Sequence, residues 1–187
     1  MNNFEKPLDD SLMMLESLRA MSGQVRDCAD RCLTSLNSGG KLLICGNGGS
    51  AAQAQHLAGE LLGRYKKNRR PLAAITLTAD ASVLTCIGND YGFEEIFSRQ
   101  VRALGRPGDV LIALTTSGRS PDILEALRAA KEIGMNSIAF LGGDGGAALA
   151  LSDSALVVGR HDTARIQEGH QFLLHCLMDL IEAGLKE

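Results

Sequence analysis

Short apolar runs that end in glycine- or hydroxyl-rich loops and then give way to helical spacing recur along this chain. That alternation is its strongest constraint. Asp109–Thr115 (DVLIALT) is the clearest buried strand, followed by a turn and a helical pattern over about 121–133. Lys41–Cys45 (KLLIC) runs into Gly-Asn-Gly-Gly-Ser, and helical spacing returns over 50–63. Leu72–Leu77, Ser137–Leu141 and Ala155–Val158 supply three more strands, with helices over Glu94–Leu104 and 163–184. Unbroken apolar runs mark strands covered on both faces, and strands alternating with helices build βαβ units. The expected fold is α/β: one domain over 1–187, a five-stranded parallel sheet with helices on both faces, and a long N-terminal helix.

That first helix is read over 10–37, where Leu15, Leu18, Met21, Val25, Cys28, Cys32 and Leu36 recur at three- and four-residue steps and Asn37-Ser38-Gly39-Gly40 stops it. It is longer than a five-stranded sheet can cover. The last helix is apolar nearly all round at Phe172-Leu173-Leu174, Cys176-Leu177-Met178 and Leu180-Ile181. Both features point to a homo-oligomer with helices packed between subunits.

Composition removes several classes. With 45% apolar residues the chain is not disordered, and no apolar run approaches the roughly 20 residues of a membrane helix. The N-terminus lacks a signal-peptide layout, so a cytoplasmic protein is expected. Five scattered cysteines suit reduced thiols rather than a disulfide framework. A net charge of −3 and only 4% aromatic residues argue against general nucleic-acid binding. The basic run Arg64, Lys66, Lys67, Arg69 and Arg70 reads as a solvated loop or as a patch that attracts an anionic substrate.

Ligands of open parallel sheets bind at the carboxyl ends of the strands. Gly46-Asn47-Gly48-Gly49-Ser50-Ala51 sits there and fits G-x-G-x-x-A, but the acidic residue a dinucleotide site needs about twenty positions on is replaced by the basic run. Thr115-Thr116-Ser117-Gly118-Arg119-Ser120 offers four hydroxyls before a helix; capping needs one, which favours a phosphate cradle. Gly142–Gly146 is assigned no chemistry. His56 and Glu60, four apart, share a helix face. On the last helix lie Gln167, His170 and His175, and Gln167 and His175 drift by only about 80° around it. These groups could hold Zn²⁺ or a similar ion, or be a surface pair and a core histidine. His161 is read as a surface residue.

Together, CGNGGSA (45–51), AQHLAGELLGRY (54–65), GNDYGFEEIFSRQV (88–101), GDVLIALTTSGRS (108–120) and ARIQEGHQFLLH (164–175) resemble the sugar isomerase (SIS) domain, and most closely the phosphoheptose isomerases. The resemblance covers nearly the whole chain from about residue 10. It implies isomerisation of sedoheptulose 7-phosphate to D-glycero-D-manno-heptose 7-phosphate, an early step toward nucleotide-activated heptose and lipopolysaccharide. It implies Zn²⁺ on His56, Glu60, Gln167 and His175, with Glu60 and His175 as the acid/base pair. Substrate contacts would come from Asn47, Gly48, Gly49, Glu60, Asn89, Asp90, Thr115, Thr116, Ser117, Ser120 and Gln167. It further implies a homotetramer with active sites shared between subunits.

The implied chemistry needs one group to remove a proton beside a carbonyl and another to manage the oxygen, which a carboxylate and an imidazole can do. The sequence departs from the family at Gly59, where many members carry a second glutamate, and at Ala164, where some carry aspartate. Thr115 replaces serine, and Arg119 stands where asparagine is general, either contacting phosphate or facing solvent. Two non-catalytic readings compete: a relative that binds the bacterial replication initiator, and a sugar-phosphate-sensing module. Retention of both Glu60 and His175 favours the enzyme.

Overall fold

The computed structural model describes residues 4–159 and 162–185; His161 lies outside them. Five strands, β1 (Leu42–Gly46), β2 (Ala74–Thr76), β3 (Val110–Thr115), β4 (Asn136–Gly142) and β5 (Ser154–Val158), form one sheet in the order β2-β1-β3-β4-β5. Every pairing is parallel, and Ile44, Ile112 and Ile138 stand side by side across the sheet.

Period-two alternation assigns the strand residues to two cores. Leu42, Ile44, Ile112, Leu114, Ile138, Phe140, Leu156 and Val158 pack under α1 (Glu5–Ser17), α2 (Ser22–Asn37), α3 (Gly49–Leu62) and α8 (Thr163–Gly184). Leu43, Cys45, Leu111, Ala113, Ala139 and Leu141 pack against α4 (Ala81–Asp90), α5 (Ser98–Leu104), α6 (Pro121–Glu132) and α7 (Gly146–Leu151). Burial on both faces explains why these strands read as unbroken apolar runs; each fully buried Leu or Ile contributes about 1.5–3 kcal/mol over exposure. At the edge opposite the ligand side, the buried Asp109 carboxylate accepts from Lys41 Nζ, the Lys41 N–H and the Arg106 N–H, so both predicted strands begin one residue late.

Chain order puts the topological switch between β1 and β3. From β1 the chain turns outward to β2, and from β3 it runs the other way, so the loops after β1 and β3 diverge over a crevice at the carboxyl edge.

Four expectations change. The N-terminal helix starts at Glu5 and is divided by a 3₁₀ turn over Leu18–Met21. Leu15, Leu18 and Met21 follow each other at steps of three, the 3₁₀ repeat, and the change of phase buries Met14 while Leu15 is 37% exposed. The helix expected over Glu94–Leu104 is a 3₁₀ turn, Phe93–Glu95, followed by α5. Helices α4 and α7 were not anticipated. On α8, burial is incomplete: Phe172 is 46% exposed.

Candidate active site

Helices α3 and α8 lie side by side and supply the densest group of polar side chains. The Gln167 amide rests on Gly49, where an added Cβ would fall 2.4 Å from its nitrogen. Gln53 Nε2 donates to the Gln167 carbonyl at 2.7 Å. Further along, His56 meets His175, their Nε2 atoms 3.0 Å apart. One turn beyond, Glu60 Oε1 is 3.4 Å from His56 Nε2.

One ligand atom from each of His56, Glu60 and His175 lies within 4.8 Å of the others. Zinc–nitrogen bonds of 2.0–2.1 Å in a tetrahedron place neighbouring ligand atoms about 3.3 Å apart, close to the 3.0 and 3.4 Å found here. Two imidazole nitrogens this close either share one proton or both offer lone pairs to a cation. The donor set therefore fits a divalent ion with three protein ligands and an open position. The group is reachable, since the His56 and Glu60 side chains are 42% and 22% exposed.

Among the described residues no hydrogen bond joins the side chain of Gln167, the fourth expected ligand, to this trio. Eight residues separate it from His175, about 12 Å of helix rise, and the amide beside His175 Nε2 is that of Gln171, at 3.0 Å. The buried histidine of α8 is His170: its Nε2 bonds the Leu141 carbonyl at 3.0 Å and its ring meets Phe140 edge-on. Burial pushes its pKa down to about 4, against the opposing pull of the Leu141 bond.

Across the switch point, the loop after β3 brings its hydroxyls together. Thr115 Oγ1 lies 3.5 Å from both Ser117 Oγ and Ser120 Oγ and accepts from the Gly118 N–H at 3.2 Å. Ser120 is the N-cap of α6, yet its hydroxyl makes no capping bond. The bland explanation for these hydroxyls thus fails at the residue where it should apply. Gly118 has φ +63, and a Cβ there would fall 2.0 Å from the Gly145 carbonyl oxygen. The run Gly142–Gly146, given no chemistry from sequence, is the backbone on which this loop rests. Arg119 turns outward, with Nη2 on both Asp144 carboxylate oxygens at 2.6 and 2.9 Å.

One residue joining the two loops escaped sequence reasoning. Asp122, buried in the first turn of α6, accepts a 2.7 Å bond from Asn47 Nδ2 in the loop after β1. Burial raises its pKa, and the bonds from Asn47 and Ile123 offset part of that rise. An Asp in a first helical turn looks like a dipole effect in sequence, so its partner was invisible. Asn89 and Asp90 are exposed at the end of α4 and bond each other at 2.7 Å; among the described residues no bond joins them to the trio.

The basic run is mostly engaged. Lys66 pairs with Asp179 at 2.5 Å, Arg70 donates to the Leu36 carbonyl at 3.3 Å, and Arg69 is buried against Glu182. Arg64 and Lys67 are exposed.

Comparison with known proteins agrees with this architecture. The SIS domain family model matches residues 8–142. A phosphoheptose isomerase of Campylobacter jejuni is 50% identical over 183 residues, 98% of each chain. The solved phosphoheptose isomerase of Neisseria gonorrhoeae superposes with a TM-score of 0.90 at 44% identity, covering 95% of this chain and 96% of the other. That of Francisella tularensis gives a TM-score of 0.94 at 39% identity, covering 97% of both. The chain belongs to the SIS domain family and, within it, to the phosphoheptose isomerases.

Proposed function

We propose that this enzyme interconverts sedoheptulose 7-phosphate and D-glycero-D-manno-heptose 7-phosphate, moving a proton between C1 and C2 through an ene-diol. The observation that carries the reading is the convergence of His56, Glu60 and His175 on the facing sides of α3 and α8, with His56 Nε2 3.0 Å from His175 Nε2 and 3.4 Å from Glu60 Oε1. A divalent ion such as Zn²⁺, held by these three side chains, would polarise the substrate carbonyl and stabilise negative charge on its oxygen.

The chain's own residues supply the rest. Glu60, partly shielded, takes the proton beside the carbonyl, and His175 hands a proton to and from the oxygen. The hydroxyls of Thr115, Thr116, Ser117 and Ser120, with the first N–H groups of α6, hold the phosphate, which fixes the sugar's reacting end at a distance. Asn47, the backbone of Gly48 and Gly49, Gln167, Asn89 and Asp90 contact the sugar hydroxyls. In this reading Gln167 serves the substrate and Gln171 flanks the metal-holding trio.

The working form is a cytoplasmic homotetramer with sites at subunit interfaces. Exposed Leu12, Met13 and Phe172 on α1 and α8 support that assembly, as does the placement of Asn89 and Asp90 on α4, which packs on the other face of the sheet from α3 and α8. The product would enter synthesis of activated heptose for lipopolysaccharide. Incubating the purified protein with sedoheptulose 7-phosphate, with and without Zn²⁺, and following the aldose phosphate by NMR tests the reading. Absence of turnover under every metal condition overturns it.

A further inference from the structure

The most deeply buried ion pair near the trio is not part of it. Glu182 lies two helical turns beyond His175 on α8, its side chain 4% exposed, and Arg69 opposite is 8% exposed. Burying two charges is unfavourable unless their hydrogen-bonding capacity is filled. Here it is. Glu182 Oε1 accepts from the Tyr65 N–H and Arg69 Nε, each at 3.2 Å, while Oε2 accepts from the Lys66 and Lys67 N–H groups at 3.1 and 3.0 Å. One carboxylate thus gathers three consecutive backbone amides of the 64–70 loop. Burial alone would push this acid up, but the three amides and Arg69 hold it below its ordinary range.

The loop so anchored reaches both proposed acid/base residues. Arg69 Nη2 donates to the Glu60 carbonyl at 2.6 Å and Nη1 to the Leu61 carbonyl at 2.8 Å, filling acceptors that the end of α3 leaves open. Tyr65 stacks on the His175 imidazole, ring centroids 5.6 Å apart at 29°. The same imidazole also meets the His56 ring, centroids 5.3 Å apart and tilted by 58°. From outside, Lys66 reaches over the Tyr65 ring to Asp179.

We propose that Glu182 is a positioning residue for the acid/base pair, acting through Tyr65 on His175 and through Arg69 on the end of α3 that carries Glu60. The roles of Glu60 and His175 rest on the isomerase reading above; the positioning itself does not. Without the carboxylate the three amides lose their acceptor, the loop lifts, and the imidazole is free to turn away from His56.

The test compares Glu182→Gln, Tyr65→Ala and Tyr65→Phe by steady-state kinetics on sedoheptulose 7-phosphate and by NMR of the His175 imidazole C–H, which feels the ring current of Tyr65. Misplacement of a reacting group costs up to about 100-fold, so Glu182→Gln and Tyr65→Ala are expected to lower kcat by about 10- to 100-fold. KM should stay within about threefold of wild type, and Tyr65→Phe, which keeps the ring, should recover kcat to within about threefold. The His175 resonance should move to a similar position in Glu182→Gln and Tyr65→Ala and stay put in Tyr65→Phe. A folded Glu182→Gln protein with the wild-type His175 resonance, or Tyr65→Ala with wild-type kcat, overturns the proposal. If Glu182→Gln fails to fold, the Tyr65 pair decides. A wild-type protein without turnover refutes the isomerase reading, while the resonances still judge the positioning.

Discussion

The Nε2 atoms of His56 and His175 stand 3.0 Å apart although 119 residues separate them in sequence. The contact exists because α3 springs from the interior strand β1 and α8 follows the edge strand β5, and both return over the same face of the sheet. Two imidazoles in this position repel if both are protonated and bind cooperatively to a cation if both are neutral.

Zinc should therefore bind at one ion per chain, and the trio should be needed for it. Replacing groups around a metal's ligands costs about 10- to 100-fold in affinity, so removing a ligand should exceed that. His56→Ala and His175→Ala are expected to lose stoichiometric zinc in competition with a chromophoric chelator. Retention of wild-type affinity in either would remove that residue from the site.

Chelation and acid/base function can be separated at Glu60. Glu60→Gln keeps size and a potential oxygen ligand but cannot accept a proton, and loss of a general base costs about 10²–10⁴-fold. The variant should show that loss in kcat with an unchanged thermal transition. It should also lose exchange of the substrate C1 proton with D₂O, followed by NMR. Exchange at the wild-type rate would assign the base elsewhere.

What the sequence disclosed depended on how local the cause was. Strand β3 was legible because burial on both faces leaves no polar position in VLIAL. Helix α4 was not, since only Ile87 is buried along Ala81–Asp90 and no apolar stripe marks it. Its Asp80 N-cap, which accepts from the Val83 N–H at 3.0 Å, was the available signal. Helix α7 opens on glycines and looked like a loop. At the site, residue types and order pointed to His56, Glu60 and His175, but Arg69, Glu182 and Asp122 act through partners 75 to 117 residues away. Nothing in a local pattern distinguishes a charge that will be buried by such a partner from one that faces water.

The hydroxyl loop should govern affinity rather than chemistry. Ser117 is exposed and its hydroxyl bonds only within the loop, so Ser117→Ala removes a donor without opening the core. A hydrogen bond to a charged group contributes about 1.5–3 kcal/mol, which corresponds to a rise in KM of about 10- to 150-fold. The kcat should change far less, because the phosphate is remote from C1 and C2. An unchanged KM would move the phosphate out of this loop.

His170 predicts a pH dependence unrelated to catalysis. Its folded pKa is about 4, lowered by burial, against about 6.5 in an unfolded chain. Above pH 6.5 it is neutral in both states and contributes nothing. Between 6.5 and 4 the unfolded chain binds a proton that the folded one refuses, so stability falls as pH falls, by about 3 kcal/mol in all. His170→Gln can retain a donor toward the Leu141 carbonyl and does not titrate. Guanidinium unfolding should show a weaker fold at pH 7 but a flatter decline to pH 4; parallel curves for variant and wild type would refute the assignment.

Asp122 offers a sharper separation of stability from function. Its folded pKa is raised, chiefly by burial, so the folded chain binds more protons than the unfolded one across the window between the two values. Stability therefore rises as pH falls through that window, and at neutral pH the ionised carboxylate is a cost to the fold. Asp122→Asn removes the buried charge and keeps an oxygen to accept from Asn47, so stability at pH 7 should equal or exceed wild type. Asp122→Ala leaves the Asn47 amide without its partner and should lose about 1–3 kcal/mol. A carboxylate only accepts, which forces Asn47 to turn its NH₂ toward α6 and leaves its carbonyl oxygen as the group to offer a ligand. An asparagine at 122 can donate as well as accept, so Asn47 could flip and present the wrong group to the sugar. Asp122→Asn should thus raise KM while leaving the unfolding midpoint intact. A variant with unchanged KM would mean that Asp122 fixes the two loops but not the orientation of Asn47.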